Sequence, residues 1–209
     1  MSSRFTFAPI FETTPEGTNL VHLGVSARQR NRSDDGAFQY RTRPFNGRGD
    51  RLVSSTALGD SDQTYGLEAA VQFGPFGAQA EYMMLDGEST GGVDFDSDGY
   101  YVDVYWSLTG ESRSYRGNQG AFSAISPANP VTQGGWGHWM LSARYDSIDL
   151  SDAAFGANRG EQTAWAVGLD WVPVSHVRFK LNYALSDMDR TAAADDEAQV
   201  ISLRTQFDF

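Results

Sequence analysis

The chain has 209 residues, no cysteine and a formal net charge of −11. Without cysteine it has neither a disulfide framework nor a thiolate metal site, and so acidic a chain lacks the basic face that binds nucleic acid. No run of 18 apolar residues occurs, which excludes a membrane-spanning helix. The length suits a single domain over residues 1–209.

Apolar and polar residues alternate in segments along the whole chain, and this period of two predicts β-strands. The first segment, Arg4–Ala8, reads as the tail of a strand. Eight clear strands follow, at 21–27, 65–73, 78–84, 100–108, 139–145, 163–171, 176–186 and 201–209. We therefore expect an all-β protein with an antiparallel sheet of eight to nine strands.

The two faces of these strands favour a membrane over a soluble β-sandwich, which the same alternation also suits. Aromatic residues stand at both ends of the apolar faces, as in Tyr100 and Trp106 or Trp165 and Trp171. The opposite faces carry charge well inside the strands, for example at Asp103. Aromatic girdles around an apolar outer band, with a polar interior, are typical of outer-membrane β-barrels.

The connections alternate in length. Short turns are predicted at about 14–18, 74–77 and 173–175, and longer acidic loops at 86–98, 149–160 and 187–197. This asymmetry is typical of periplasmic turns and extracellular loops. Residues 111–136 depart from it, because by strand parity they fall on the short-turn side and yet form a long segment rich in Gly, Pro and Ser.

The N-terminal residues lack the basic and apolar regions of a signal peptide. Single-chain bacterial barrels have even strand numbers, and here an odd count begins with a partial strand. We therefore expect the chain to begin in the middle of a barrel, as a partial or open one.

Four stretches carry a family resemblance: GYYVDVYWSLTGESR at 99–113; YGLEAA at 65–70 with GPFG at 74–77; GGWGHW at 134–139 with ARYDSIDL at 143–150; and VRFKLNY at 177–183. By them the chain resembles the C-terminal half of the phosphate-selective porin O and P family. The resemblance implies a barrel of about 16 strands whose N-terminal half is absent here, a Gram-negative outer membrane, contact with its lipid, a homotrimer, and passage of small anions without a cofactor.

An anion path requires cations that attract an ion without trapping it. The segment around Arg41, Arg43 and Arg48, with Arg28 and Arg30 upstream, is the first candidate. Arg41 and Arg43 project to one side of an extended segment, about 6.6–7 Å apart. The family resemblance implies a ladder of lumen arginines carried here by an inward-folded loop. The alternative is a solvated loop with scattered arginines.

A second set of charges lies on the polar strand faces. Its cations are Arg144, Arg178, Lys180 and Arg204, and its acids are Glu68, Glu81, Asp103, Asp146, Asp170 and Asp208. Because these charges nearly balance, we expect salt bridges that hold the lumen wall. The three histidines, His22, His138 and His176, have no metal-ligand spacing and are expected at the membrane interface. The loop 94–99 lacks the twelfth-position Glu of a calcium loop.

These features together predict a passive porin segment for phosphate or other small anions, with no enzymatic activity. One alternative is a small closed barrel with a structural or adhesive role, since a narrow bore is filled by side chains. A barrel enzyme is a further alternative, for which Ser142 and His138 share one strand face about 13 Å apart.

Overall fold

The computed structural model describes residues 1–15, 17–32, 36–43, 45, 51–191 and 196–208. Within this part of the chain, no helix has the length and apolar character to cross a membrane. The strands are β1 (Ser2–Thr14), β2 (Gly17–Asn31), β3 (Gly59–Phe73), β4 (Phe76–Ser89), β5 (Asp94–Ser107), β6 (Tyr115–Arg116), β7 (Ala121–Phe122), β8 (His138–Leu150), β9 (Gly160–Val174), β10 (Val177–Arg190) and β11 (Asp196–Phe207). Two single 3₁₀ turns span Val131–Gln133 and Ala153–Phe155.

Nine long strands form one antiparallel sheet in the order β1-β2-β3-β4-β5-β8-β9-β10-β11, and β6 and β7 form a separate small hairpin. The predicted all-β class and the strand number are confirmed. In the part described, β1 and β11 do not pair with each other, so the sheet is open at both edges. Since nine antiparallel strands leave β1 and β11 running in the same direction, joining these two edges would require a parallel pair.

Two of the three predicted acidic loops are wrong in extent, because the strands continue into them. β4 runs to Ser89 and β5 starts at Asp94, which leaves only residues 90–93 where we expected 86–98. β10 likewise runs to Arg190 and β11 begins at Asp196, where we expected a loop at 187–197, whereas the loop expected at 149–160 agrees with the ends of β8 at Leu150 and β9 at Gly160. Asp86 stands directly opposite Asp96. Beyond the aromatic band such carboxylates project into water, so the backbone continues its ladder without burying charge.

The outward face of the sheet is apolar and exposed, the reverse of a soluble protein. Ile201 and Leu203 are 76% and 75% exposed. Other exposed outward side chains are Phe5, Phe7, Leu23, Val25, Leu67, Val71, Val102, Val104, Leu141, Val167 and Leu181. A band of this kind running across all the strands is the surface that a porin-type barrel presents to lipid.

Aromatic side chains border this band on both sides. On the short-turn side lie Phe73, Phe76, Trp106, Trp139, Trp171, Phe179 and Phe207, with Trp171 stacked between Trp139 at 5.4 Å and Phe179 at 5.3 Å. On the long-loop side lie Tyr65, Tyr82, Tyr100, Tyr145, Trp165 and Tyr183. Tyr100 and Trp106 are six residues apart, about 20 Å along the strand. The predicted girdles are present.

Candidate functional site

The concave face of the sheet carries the polar and charged side chains. Strand register aligns Asp103 of β5 with Arg144 of β8, and Asp170 of β9 with Lys180 of β10, which in turn faces Arg204 of β11. The structure therefore brings the four cations predicted for the lumen wall, Arg144, Arg178, Lys180 and Arg204, to one face of β8, β10 and β11.

Two of these wall cations are ion-paired. Lys180 contacts Asp170, and Arg144 lies 3.2 Å from Asp146 and 3.7 Å from Asp103. The guanidinium of Arg144 also stacks 3.7 Å from the centre of the Tyr101 ring. Arg178 and Arg204 have no ion-pair partner among the described residues. The wall thus combines fixed ion pairs with cations that keep their capacity to bind an anion.

The loop 32–58, where the structure describes it, folds over the concave face. Val53 and Leu58 pack in a buried cluster with Phe95, Leu150 and Phe155. Thr42 is buried and donates a hydrogen bond to Gln162, an inward residue of β9. The loop is therefore anchored to the inner wall by apolar burial and by a hydrogen bond at its centre.

A second anchor of this loop is a buried carboxylate at the end of β3. The Asp62 side chain has no exposed surface, and it accepts hydrogen bonds from Arg30 Nε at 3.1 Å and from the Tyr40 hydroxyl at 2.6 Å. Arg30 also stacks 3.7 Å from the centre of the Phe38 ring. Burial, followed by the hydrogen bond to Asp62, raises the pKa of Tyr40. Arg30 thus lies in a structural contact.

Arg41 and Arg43 project away from the wall. Because Thr42 points into the wall, its two neighbours point to the other side of the extended segment, and both are exposed. Arg41 pairs across the loop with Ser54 and donates to Gln39 Oε1 at 3.1 Å. Arg28 is exposed on the inward side of β2. Arg48 lies outside the described residues.

The segment 108–137 also folds onto the concave face, from the short-turn side. Ser112 Oγ donates to the carbonyl of Gly74 at 2.7 Å. The hydroxyl of Tyr115 lies 2.7 Å from His22 Nδ1, and Arg4 donates to the carbonyl of Gly120 at 2.9 Å. The unusual length of this segment is visible in the sequence, but its inward fold is not.

These two segments and the wall line a partly open cavity of about 370 Å³. Phe45 of the loop lines it at one side, and Arg113 of the segment 108–137 at another. Among the described residues, its charged lining is Arg113, Arg144, Arg178 and Lys180 against Asp103 and Asp170. The cavity therefore carries two more positive than negative charges. We did not predict Arg113 as a site residue.

We expected the three histidines at the membrane interface. Two of them, His138 and His22, instead face inward. His138 has no exposed surface, and its Nε2 lies 2.9 Å from Ser107 Oγ. His22 is 5% exposed, with its Nε2 2.9 Å from Glu68. Inward register explains both positions. Ser142, which was paired with His138 in the enzyme alternative, donates a hydrogen bond to the Gly168 carbonyl. Within the described residues, no three metal-ligating side chains form a cluster.

Comparison with known proteins gives consistent matches. The model of the phosphate-selective porin O and P family matches residues 1–209. An uncharacterized protein of Caulobacter vibrioides is 37% identical over 202 residues, covering 92% of this chain and 40% of the relative. Porin O of Pseudomonas aeruginosa is 30% identical over 237 residues, covering 99% and 53% respectively. The chain thus spans about half the length, or less, of these curated relatives.

Proposed function

The chain belongs to the phosphate-selective porin O and P family, and from that premise we propose that its nine strands form part of the wall of a passive channel for phosphate or other small anions. Membership of a porin family places the strands in the outer membrane, with their apolar face against lipid. The proposal adds the identity of the solute, a small anion such as phosphate, that passes along the concave face.

The observation that carries the proposal is the positive cavity on that face. Arg113, Arg144, Arg178 and Lys180 outnumber the carboxylates that line it, although the chain as a whole is acidic. Charge of one sign along a low-dielectric cleft raises the local concentration of ions of the opposite sign. Since part of this charge is held in ion pairs, an anion is attracted without being trapped, which conduction requires.

The loop 32–58, referred to below as the arginine loop, is the proposed approach to this cavity. Arg41 and Arg43 are exposed on the side of the wall-anchored loop opposite to Thr42, and Arg28 adds an exposed cation on β2. Arg48 belongs to the same proposed path by its place in the sequence. Arg30 contributes by holding the loop through Asp62.

The open sheet edges require partners. Unpaired backbone groups cannot face lipid, and β1 and β11 each leave one edge unpaired among the described residues. We propose that further strands, like those in the unmatched part of the relatives, pair with these edges to complete an even-numbered barrel. The homotrimer implied by the family resemblance is part of the same proposal.

Ion selectivity of the whole gene product in planar bilayers tests the proposal. We expect ohmic channels whose reversal potential in a chloride or phosphate gradient shows higher permeability to anions than to cations. Substituting Arg41→Gln or Arg43→Gln, one at a time, lowers this permeability ratio. The control Arg32→Gln removes the same charge from an ion pair with Asp60 in which both side chains are 46% exposed, and has a smaller effect. Channels that prefer cations overturn the proposal.

A further inference from the structure

The turn 129–137, at the end of the segment that folds onto the concave face, presents an exposed tryptophan. Trp136 is 81% exposed, more than any other aromatic side chain among the described residues. Phe5 and Ile201 are also highly exposed, but they lie on β1 and β11, the open edges of the sheet. Trp136 lies beside β8 and β9, in the interior of the sheet. Strands that pair with the open edges therefore leave it uncovered.

The turn holds this side chain in a fixed position. Its ends are joined by a hydrogen bond from the Gly137 amide to the Asn129 carbonyl at 2.9 Å, and its centre is the 3₁₀ turn Val131–Gln133. A Cβ at Gly135 would lie 2.1 Å from the Asn129 carbonyl oxygen, and Gly137 has a φ of 72°, which favours glycine. The glycines on both sides of Trp136 are thus required by the shape of the turn, so the tryptophan is presented by a folded structure and not by a loose linker.

The turn lies against the outward aromatic girdle. The indole N–H groups of Trp139 and Trp171 both donate to the carbonyl oxygen of Trp136, at 3.2 and 2.9 Å. These two indoles stack on each other in the band that borders the apolar face on the short-turn side. Trp136 therefore continues an apolar surface and does not stand alone as a scattered exposed residue. The short-turn side of such barrels faces the periplasm, so Trp136 extends the girdle in that direction.

The segment 108–137 reaches this position by passing along the short-turn end of the wall. The hairpin of β6 and β7 lies on the concave face, where the Tyr115 hydroxyl contacts His22. Farther along, the Ser126 and Ser175 hydroxyl groups lie 2.7 Å apart, so the segment there touches the turn between β9 and β10. Residues 117–137 contain no Asp, Glu, Lys or Arg. The part that reaches the outward girdle therefore has no charged side chain that lipid would have to desolvate.

We propose that the turn 129–137 is a membrane anchor, in which the indole of Trp136 inserts into the headgroup boundary of the phospholipid leaflet on the short-turn side. Tryptophan suits this boundary because its ring is apolar and its N–H can bond to water or to a headgroup. The occupant is lipid because Trp136 continues a surface that already faces lipid, and because the turn carries no charge with which to select a protein partner. The anchor holds from outside the same segment whose inner part lines the cavity. It goes beyond the proposed channel function and does not depend on which ion passes.

Tryptophan fluorescence of the whole gene product, reconstituted into phosphatidylcholine vesicles, tests the anchor. Subtracting the spectrum of the Trp136→Phe variant from that of the wild type isolates the emission of Trp136. We expect this emission at a shorter wavelength than that of an indole in water, with a large loss when the lipid is brominated on its acyl chains and a small loss with aqueous acrylamide. Trp106, isolated in the same way with Trp106→Phe, is the lipid reference because it lies in the girdle and is 46% exposed. The matched control combines Trp136→Phe with Asn118→Trp, which moves the indole to the exposed end of the β6–β7 hairpin, where acrylamide should quench it more than brominated lipid does.

Each outcome decides for or against lipid as the occupant. Quenching of Trp136 by brominated lipid to the same extent as Trp106 supports the anchor. Acrylamide quenching as strong as that of the indole at position 118, without quenching by lipid, overturns it, since Trp136 then lies in water. Protection from both quenchers also overturns it, because the indole is then covered by protein, either a second copy or another part of the gene product. A channel that prefers cations overturns the proposed function and leaves the anchor.

Discussion

Substituting Asp62→Ala tests how the arginine loop is held against the wall. The carboxylate is fully buried and accepts hydrogen bonds from Arg30 and Tyr40. Each hydrogen bond to a charged group contributes about 1.5–3 kcal/mol. Because Arg30 is 35% exposed and regains water when its partner is lost, we expect a net loss of about 2–3 kcal/mol in the free energy that opposes loop opening.

The assay is tryptic cleavage after Arg41, followed by mass spectrometry on folded protein in detergent. Trypsin requires an opened segment, and when opening and closing are fast the cleavage rate follows the population of the open form. A loss of 2–3 kcal/mol therefore increases the rate roughly 30- to 150-fold. For the cut to occur, Thr42 has to break its hydrogen bonds to Gln162 and to the Val53 carbonyl.

Asp60→Ala is the matched control. It removes the same group two residues away, from an ion pair with Arg32 at 2.9 Å in which both side chains are 46% exposed. Such surface pairs contribute at most about 1 kcal/mol, so cleavage increases less than about fivefold. If the Asp62 and Asp60 variants are cleaved at the same rate, the buried carboxylate does not anchor the loop and the reasoning fails.

Three further predictions concern packing, titration and charge. Gly77→Val places a Cβ 2.2 Å from the buried Tyr105 ring and should lower the stability of the folded chain by about 2 kcal/mol, which is measured as a lower temperature of the heat-modifiable gel shift. The control Gly91→Ala, whose Cβ would have no atom nearer than 3.8 Å, leaves that temperature unchanged. Equal temperature shifts in the two variants would contradict the prediction. Because the pKa of Tyr40 is raised by burial and by Asp62, its neutral form contributes stability fully below about pH 10 and loses it only as pH rises through the raised pKa. The absorbance of the wild-type chain at about 295 nm is measured against pH, and that of the Tyr40→Phe variant is subtracted from it. The difference should show one tyrosine that titrates above pH 10, and titration at the ordinary pKa of tyrosine would refute the prediction. Asp170→Asn removes a negative charge from the cavity and frees Lys180, so the anion-to-cation permeability ratio measured from reversal potentials should rise about twofold or more. The control Asp208→Asn, outside the cavity, changes this ratio less. A lower permeability ratio in the Asp170 variant refutes the prediction.

The strands are predictable from the sequence because lipid and lumen impose opposite demands on alternate residues. β10 is expected at 176–186 and extends over Val177–Arg190. The missed residues are Asp187 to Arg190, three of which are charged, and they resemble a loop in composition. Beyond the aromatic girdle a strand no longer needs an apolar face, so the pattern that identifies it disappears while the backbone ladder continues.

The contacts across the lumen are not predictable in this way. Arg30 faces Asp62 in the register of β2 and β3, but a connection of 27 residues separates these strands and leaves the register open in the sequence. Arg113 is positioned by Gln72, 41 residues away. Nothing local distinguishes Arg113 from the exposed Arg116 nearby. Inward folding of long connections is decided by such distant polar partners.

The near balance of charge on the polar face does not oppose anion passage, because two of its carboxylates, Glu68 and Glu81, are engaged by partners on β1, β2 and β5 rather than by the wall cations of β8–β11. Glu68 of β3 accepts from Arg4 and lies beside His22, and Glu81 of β4 accepts from Tyr101, so these carboxylates are engaged at the β1–β5 side. The segment 108–137 covers this side and directs Arg113 toward β8–β10. Positive potential is therefore concentrated along one strip of the wall, and the proposed anion path follows that strip rather than the centre of the sheet.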